Sequence, residues 1–318
     1  MGLISVAEKI AKNPEKIMYN LGKREVLNWM SDESYIRLTY FLSFRRMPDL
    51  QHPQTFNEKI QWMKLHDRNP LYTRMVDKYE AKQFVAERVG AEYTIPTLGV
   101  WDNPDEIDFS TLPEQFVLKC THDSGSVFIC KDRAKWDWNA VRKKLRRNLK
   151  RNFFWLGREW AYKDIQPRVI AEPYLEDSED KELRDYKFFT FGGTPKFLFV
   201  ATERNTGDVK FDFYDMDFRH LPFLQGHPLS KKSIDKPEQF SRMVELSAKL
   251  ASGFPQLRVD FYEVDGKLYI GELTLYHFCG FVPFSPETWD KTIGDWFSLP
   301  VEVISSGGGY HNHLSVHD

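Results

Sequence analysis

Two carboxylates late in the chain stand in strand-like sequence that makes such groups expensive. Arg258-Val259-Asp260-Phe261 and Tyr269-Ile270-Gly271-Glu272-Leu273-Thr274 flank an Asp265-Gly266 turn and read as a hairpin. On adjacent antiparallel strands Asp260 and Glu272 face the same side as near neighbours, among apolar residues where an unpaired carboxylate is costly. Oxygen ligands of this kind suit Mg2+, which takes one or two carboxylates and leaves the rest of its shell to phosphates and water. Arg258, two residues before Asp260, shares its face and can pair with the same phosphates. For any one of these residues alone, an ordinary surface ion pair on an exposed strand face is the competing reading.

Lys119 is the next piece, at the end of the apolar run Phe116-Val117-Leu118 and just before Thr121-His122-Asp123-Ser124-Gly125-Ser126. A strand-end lysine beside a loop with free N–H groups is a phosphate grip, although the loop is not a Walker A sequence. A solvated strand-end lysine is the alternative. Further on, Arg168-Val169-Ile170-Ala171-Glu172-Pro173-Tyr174-Leu175 runs into Glu176, Asp177, Glu179, Asp180 and Glu182. A strand leaving toward a proline exposes backbone groups to an adenine edge, with a carboxylate at hand for ribose; otherwise it is a strand with an acidic loop.

The elements that must position these groups follow from periodicity. Residues 1–90 read as mainly helical, with a cap at Ser31 and helices over 57–66, capped near Thr55, and 77–89, stopped by Gly90. The 57–66 pattern buries Ile60, Trp62 and Met63. From residue 91 short strands take over: 93–100, 116–120, 127–130, 168–174, 186–191, 196–201, 257–264 and 267–274. Gly192-Gly193 suits a hairpin turn. Helices are expected over 136–151, with an apolar stripe of Trp138, Val141, Leu145 and Leu149, and over 240–254. The first of these also carries Arg142, Lys143, Lys144, Arg146, Arg147, Lys150 and Arg151, which suit either a solvated amphipathic helix or an anionic partner. The Gly-, Ser- and His-rich stretch 305–318 reads as a flexible tail.

Composition narrows the function classes. The 318 residues are long enough for two or three units, and 15 % aromatics supply bulky core side chains. A net charge of −2 argues against a general polyanion binder, and nucleic acid is not expected as a partner. Three cysteines without a CxxC pair argue against a disulfide framework or zinc ribbon and for a reducing cytoplasm. No uninterrupted apolar signal core and no apolar run of about 18 residues is seen.

In order along the chain, TFNEKIQWMKLHDRNP (55–70), VDKYEAKQFVAERVG (76–90), LPEQFVLKCTHDSGS (112–126), REWAYKDIQPRVIAEPYL (158–175), DYKFFTFGG (185–193) and RVDFYEVDGKLYIGELT (258–274) together resemble the ATP-grasp superfamily. More closely, they resemble its TupA-like branch, associated with bacterial surface polysaccharides and often labelled glycosyltransferase. The resemblance implies an α+β fold in which two α+β subdomains clamp ATP between antiparallel sheets, beside a mainly helical N-terminal region. It divides the chain into 1–90, helical; 91–176, the small subdomain with its lead-in strand; 177–304, the large subdomain with the metal site; and 305–318, the tail.

By position it implies Lys78 and Lys119 on ATP phosphates, and Ser124, Gly125 and Ser126 as a loop over the β- and γ-phosphates. Glu172 and the backbone of Tyr174 and Leu175 would read adenine, and Glu179 or Asp180 the ribose. Asp260, Glu272 and Thr274 would hold Mg2+, with Arg258 on the transferring phosphoryl group and Lys187 and Arg204 as further phosphate or acyl-phosphate contacts. Many members have Asn where Thr274 stands. The implied activity is an ATP-dependent carboxylate–amine ligase forming an amide through an acyl phosphate, with a bacterial surface polysaccharide or its precursor as acceptor. Its setting would be the bacterial cytoplasm, with peripheral contact at the inner membrane face. Competing readings are a nucleotide-sugar glycosyltransferase, for which Asp215-Met216-Asp217 supplies the letters of a DxD pair, and an ATP-dependent glycan or sugar kinase sharing the nucleotide site.

Overall fold

Alternation in Phe116-Val117-Leu118-Lys119-Cys120 buries every second side chain, which gives that strand one packed and one open face. The computed structural model, which describes residues 15–177, 183–203 and 207–300, builds a four-stranded sheet around it. Its strands are β1 (Gly99–Trp101), β2 (Phe116–Cys120), β3 (Val127–Cys130) and β4 (Val169–Pro173), in the order β1-β4-β2-β3, with every pairing antiparallel. The helix Trp138–Leu149 is capped by Asp137, whose carboxylate accepts from the Ala140 N–H at 2.9 Å. It lays Val141 and Leu145 on the packed face, against Phe116, Leu118 and Cys120. Lys119 is thereby left on the other face.

The second sheet comprises β5 (Asp185–Phe191), β6 (Thr194–Thr202), β7 (Lys210–Asp215), β9 (Gln256–Val264) and β10 (Lys267–Thr274), antiparallel in the order β10-β9-β5-β6-β7. A short ribbon of β8 (Leu224–Gln225) and β11 (Phe284–Ser285) forms a separate ladder packed against it. Positive φ at Gly192 and Gly193 makes the β5–β6 turn. The helix Phe240–Ala251 packs on the side of Phe188, whose ring lies 5.6 Å from that of Phe240. Lys187, Asp260 and Arg258 project from the opposite face by alternation.

Local chemistry explains the remaining boundaries. The helix Phe56–His66 starts in a reciprocal capping box between Thr55 and Glu58, a device that contributes about 1 kcal/mol. It buries Ile60 and Met63 fully and Trp62 in part. The helix expected over 77–89 runs from Glu80 to Val89, and a short helix that was not expected, Leu71–Val76, precedes it. Asp77 separates them because its carboxylate accepts the Tyr79 and Glu80 N–H groups and pairs with Arg168 at 3.0 Å. The strand expected over 93–100 shrinks to β1, since Ala91–Tyr93 is a 3-10 turn and Thr94 makes only a lone bridge to Ile270. Pro96 cannot donate to a ladder there. Gly294, in the helix Thr288–Trp296, lets the backbone of residues 54–56 approach so closely that a Cβ would lie 2.2 Å from the Gln54 carbonyl oxygen.

Candidate functional site

The five-stranded sheet assembles a charged centre from its three adjacent strands β10, β9 and β5. Glu272 on β10 is the register partner of Asp260 on β9, and Lys187 on β5 is the partner of Asp260 from the other side. The first pairing depends on a bulge at Gly271: Ile270 pairs with Phe261, and Glu272 with Asp260. Strict alternation would put Ile270 and Glu272 on one face, so the extra residue turns Glu272 to the side of Asp260. A Cβ at Gly271 would lie 2.3 Å from the Tyr262 ring.

Asp260 is 1 % exposed. Arg258 donates to it in a fork, Nε to Oδ1 and Nη2 to Oδ2, both at 2.7 Å. Lys187 donates to Oδ2 and also pairs with Asp185 at 2.6 Å. Burial pushes the Asp260 carboxyl up, but Arg258 and Lys187 outweigh it and hold the group below the usual carboxylate range. Arg258 is drawn up in turn, since Asp260 overrides the opposing effect of burial. Glu272 lies 3.7 Å from Arg258 and its side chain is 33 % exposed, so it is the freer carboxylate. Thr274 Oγ1 is buried without a hydrogen-bond partner.

The four-stranded sheet and the helix Glu80–Val89 together contribute a second cluster. Both oxygens of the buried Glu172 are engaged, Oε1 by Lys82 and Oε2 by Lys119, each at 2.5 Å. Burial raises the Glu172 carboxyl, but the two ammonium groups bring it below its ordinary value. Burial likewise lowers Lys82, with Glu172 opposing. Lys78 donates through Nζ to the Asp123 carbonyl. In the loop, Ser124 and Gly125 are the exposed tip, whereas Ser126 is buried, donates to Asp123 and accepts from Asn148 at 2.9 Å.

One cleft joins the clusters: its lining includes Lys78, Lys82, Lys119 and Glu172 on one wall and Gly271 and Glu272 on the other. Arg258, Lys187 and Asp260 meet Glu272 on the five-stranded sheet. Tyr174 and Leu175 follow the end of β4, with Lys131 over the Tyr174 ring at 4.9 Å. Glu179, Asp180 and Arg204 lie outside the described residues, as does the tail at 305–318. Asp215 of the DxD letters shapes a turn, accepting from the Asp217 and Arg219 N–H groups at 2.9 and 2.8 Å. Cys120 is a packed thiol, pushed up to about 12 by burial.

Several residues of the site escaped the sequence reading. Lys82 stands four residues after Lys78, a spacing that on the helix expected over 77–89 could have flagged it. Asp185 sits two residues before Lys187 on the same strand face. His277 and Gln225 gave no signal, being polar residues among aromatics. Arg258 Nη1 donates to His277 Nδ1 at 2.7 Å, which leaves the His277 proton on Nε2, facing Gln225 Oε1 at 3.1 Å. Burial first, then Arg258 and Lys187, holds His277 well below the usual imidazole range. Glu159, buried beside Cys279, is pushed up to about 7 by burial, with Glu272 adding to the rise and Lys64 opposing it.

The TupA-like ATP-grasp family profile matches residues 58–298. No curated protein matches the sequence. Among solved structures, D-alanine–D-alanine ligase from Bacillus anthracis, complexed with ATP, is similar at 15 % identity and a TM-score of 0.37, over 63 % of this chain and 53 % of that one. A D-cycloserine synthetase is similar at 20 % identity and a TM-score of 0.37, over 65 % and 64 %. Phosphoribosylamine–glycine ligase from Thermotoga maritima is similar at 15 % identity and a TM-score of 0.37, over 64 % and 48 %. The chain thus spans between about half and just under two thirds of the length of these structures.

Proposed function

Because the chain belongs to the TupA-like ATP-grasp family, we propose that it is an ATP-dependent carboxylate–amine ligase forming an amide through an acyl phosphate. The observation that carries this reading is the Glu272–Asp260 register pair, flanked by Arg258 and Lys187, in reach of the cleft that Lys119 and Glu172 also line. In this reading residues 91–176 and 177–304 are the two nucleotide-clamping subdomains beside the helical region 1–90.

ATP enters between the sheets. Lys78 and Lys119 hold its phosphates, and the exposed Ser124-Gly125 tip, with Ser126 anchoring the loop base, closes over them. Glu172 and the backbone of Tyr174 and Leu175 form the adenine side, the carboxylate also fixing Lys82 and Lys119; Glu179 or Asp180 takes the ribose. The donor set suits Mg2+: Glu272 is a partly open carboxylate, Asp260 is its register partner, and the orphaned Thr274 hydroxyl lies on the same strand. Mg2+ bound there would neutralise charge on the phosphates.

Arg258, fixed by Asp260, faces the γ-phosphoryl group with Lys187, and Arg204 is a further contact. A substrate carboxylate oxygen attacks the γ-phosphorus as the bond to ADP breaks. The amine lone pair then attacks the carbonyl carbon, phosphate leaves with the C–O electrons, and the nitrogen sheds a proton to solvent. The protein's contribution is position and charge. The acceptor carboxylate belongs to a uronic acid of a bacterial surface polysaccharide or its precursor, or to an amino acid. The enzyme works in the cytoplasm, with contact at the inner membrane face. These last assignments rest on the resemblance to the branch.

The test is a hydroxylamine trap with Mg-ATP and a panel of uronic and amino acids. ADP and hydroxamate should appear together. ATP consumption that phosphorylates a sugar hydroxyl without hydroxamate would make the enzyme a kinase. Thermal stabilisation by UDP-sugars but not Mg-ATP would make it a glycosyltransferase.

A further inference from the structure

We propose that His277 and Gln225 are positioning residues for Arg258, aiming its guanidinium at the transferring phosphoryl group; the inference rests on the site reading above. Arg258 is held on two sides. Asp260 takes Nε and Nη2, and His277 Nδ1 takes Nη1. Bidentate pairing with Asp260 fixes the guanidinium plane, and the third contact holds Nη1, while Nη2 lies 3.7 Å from Glu272, which lines the cleft.

His277 can accept only if its Nδ1 lone pair faces Arg258, and Gln225 enforces this. Its Oε1 accepts from His277 Nε2, and its own Nε2 donates to the Val282 carbonyl at 3.0 Å. Both side chains are 1 % exposed, so no solvent molecule replaces a lost partner cheaply. The backbone beneath is equally determined. Phe278 and Cys279 occupy the left-handed region, at φ 49° and 54°, where non-glycine residues persist only when their surroundings hold them. Gln61 donates to the Cys279 and Gly280 carbonyls at 3.1 and 2.6 Å, and Lys64 to the Cys279 carbonyl at 2.9 Å. A chain of contacts therefore runs from the Phe56–His66 helix through this loop to His277 and Arg258.

The probes are Mg-AMP-PNP and Mg-ADP, whose affinity ratio reports the contact with the γ-phosphoryl group without needing the acceptor. Asn places its Oδ1 where His Nδ1 stands, whereas Gln places its amide where Nε2 stands. His277→Asn should therefore keep the preference for AMP-PNP, and His277→Gln should lower it about tenfold. Gln225→Leu should behave like His277→Gln, and ADP affinity should stay within about twofold in all three. Combining His277→Gln with Arg258→Lys should add nothing to the loss of preference in Arg258→Lys alone. If Arg258→Lys loses the preference while His277→Gln retains it, the positioning role is wrong. Equal losses in the Asn and Gln variants would also overturn it, by showing that volume and not the acceptor atom matters. An unchanged preference in Arg258→Lys would instead overturn the placement of Arg258 at the γ-phosphate.

Discussion

The two sheets offer polar groups to one cleft under very different constraint. On the five-stranded side Asp260 is almost wholly buried, its two oxygens take three donated bonds, and Arg258 has a further anchor in His277. Across the cleft, Lys82 of the helix Glu80–Val89 and Lys119 of the four-stranded sheet keep side-chain exposures of 19 % and 17 %, and Ser124 and Gly125 stand open at the loop tip. The difference teaches where rigidity matters. A phosphoryl group gains most from dipoles and charges already in place, because none of the binding energy is then used to reorganise them. A nucleotide that must enter and leave is better served by side chains that can exchange partners.

The sharpest way to break this comparison is Asp260→Asn. It leaves Arg258 and Lys187 as buried cations facing a neutral amide, and removing one partner of a buried ion pair costs about 4 kcal/mol. Turnover in the hydroxylamine assay should fall by at least about a thousandfold, with a matching drop in the urea midpoint. A variant that keeps both would show the centre to be far less constrained than its geometry.

Glu159→Gln comes next and acts through pH. The carboxyl rises from 4.5 to about 7 on folding, chiefly by burial. A raised folded value means that the unfolded chain ionises first. The stability this group contributes is fully present below 4.5 and is lost as pH rises through about 7. At about 1.4 kcal/mol per unit, the loss is on the order of 3 kcal/mol. Urea melts from pH 4.5 to 8 should show this decline in the native protein and a flatter profile in the variant. Parallel profiles would remove Glu159 from the account.

Much of the candidate site's arrangement was legible in the sequence because its signals were local. An Asp-Gly turn between alternating strands placed Asp260 and Glu272 as near neighbours on adjacent strands, and the run ending in Lys119 gave β2 its open face. What was not legible depends on contacts between distant residues. The Gly271 bulge breaks the two-residue period that makes strands readable. The break at Asp77 needs Arg168, ninety-one positions away. Lys82 acquires its role only when β4 brings Glu172 beneath it. Gln225 and His277 lie fifty-two positions apart, and neither carries a local pattern that predicts their meeting. The helical cap at Thr55, by contrast, is written entirely in residues 55–58.

Glu172→Gln tests the adjustable side. Lys82 and Lys119 lose their shared anion, yet their partial exposure allows water to compensate. ATP affinity should weaken about tenfold, less than the effect at Asp260. Isothermal titration would read this directly. A loss as large as that of Asp260→Asn would mean that the side of Glu172 is as rigid as the side of Asp260, and the comparison would fail.

The smallest effect is expected at the loop tip. Gly125 has φ 96°, and nothing lies within 4 Å of the position a Cβ would take there, so alanine meets backbone strain but no collision. Such strain costs about 1 kcal/mol, and in an exposed loop the chain can relax part of it by shifting φ. Gly125→Ala should therefore leave the urea midpoint nearly unchanged and weaken Mg-ATP about twofold to threefold, through a loop that closes less readily. The same substitution would be far more damaging in a segment with no freedom to relax, such as Gly294, where the Gln54 carbonyl blocks any side chain. A destabilisation at Gly125 as large as at Gly294 would show that the tip is held as tightly as the core, and that this side of the cleft has no adjustable edge.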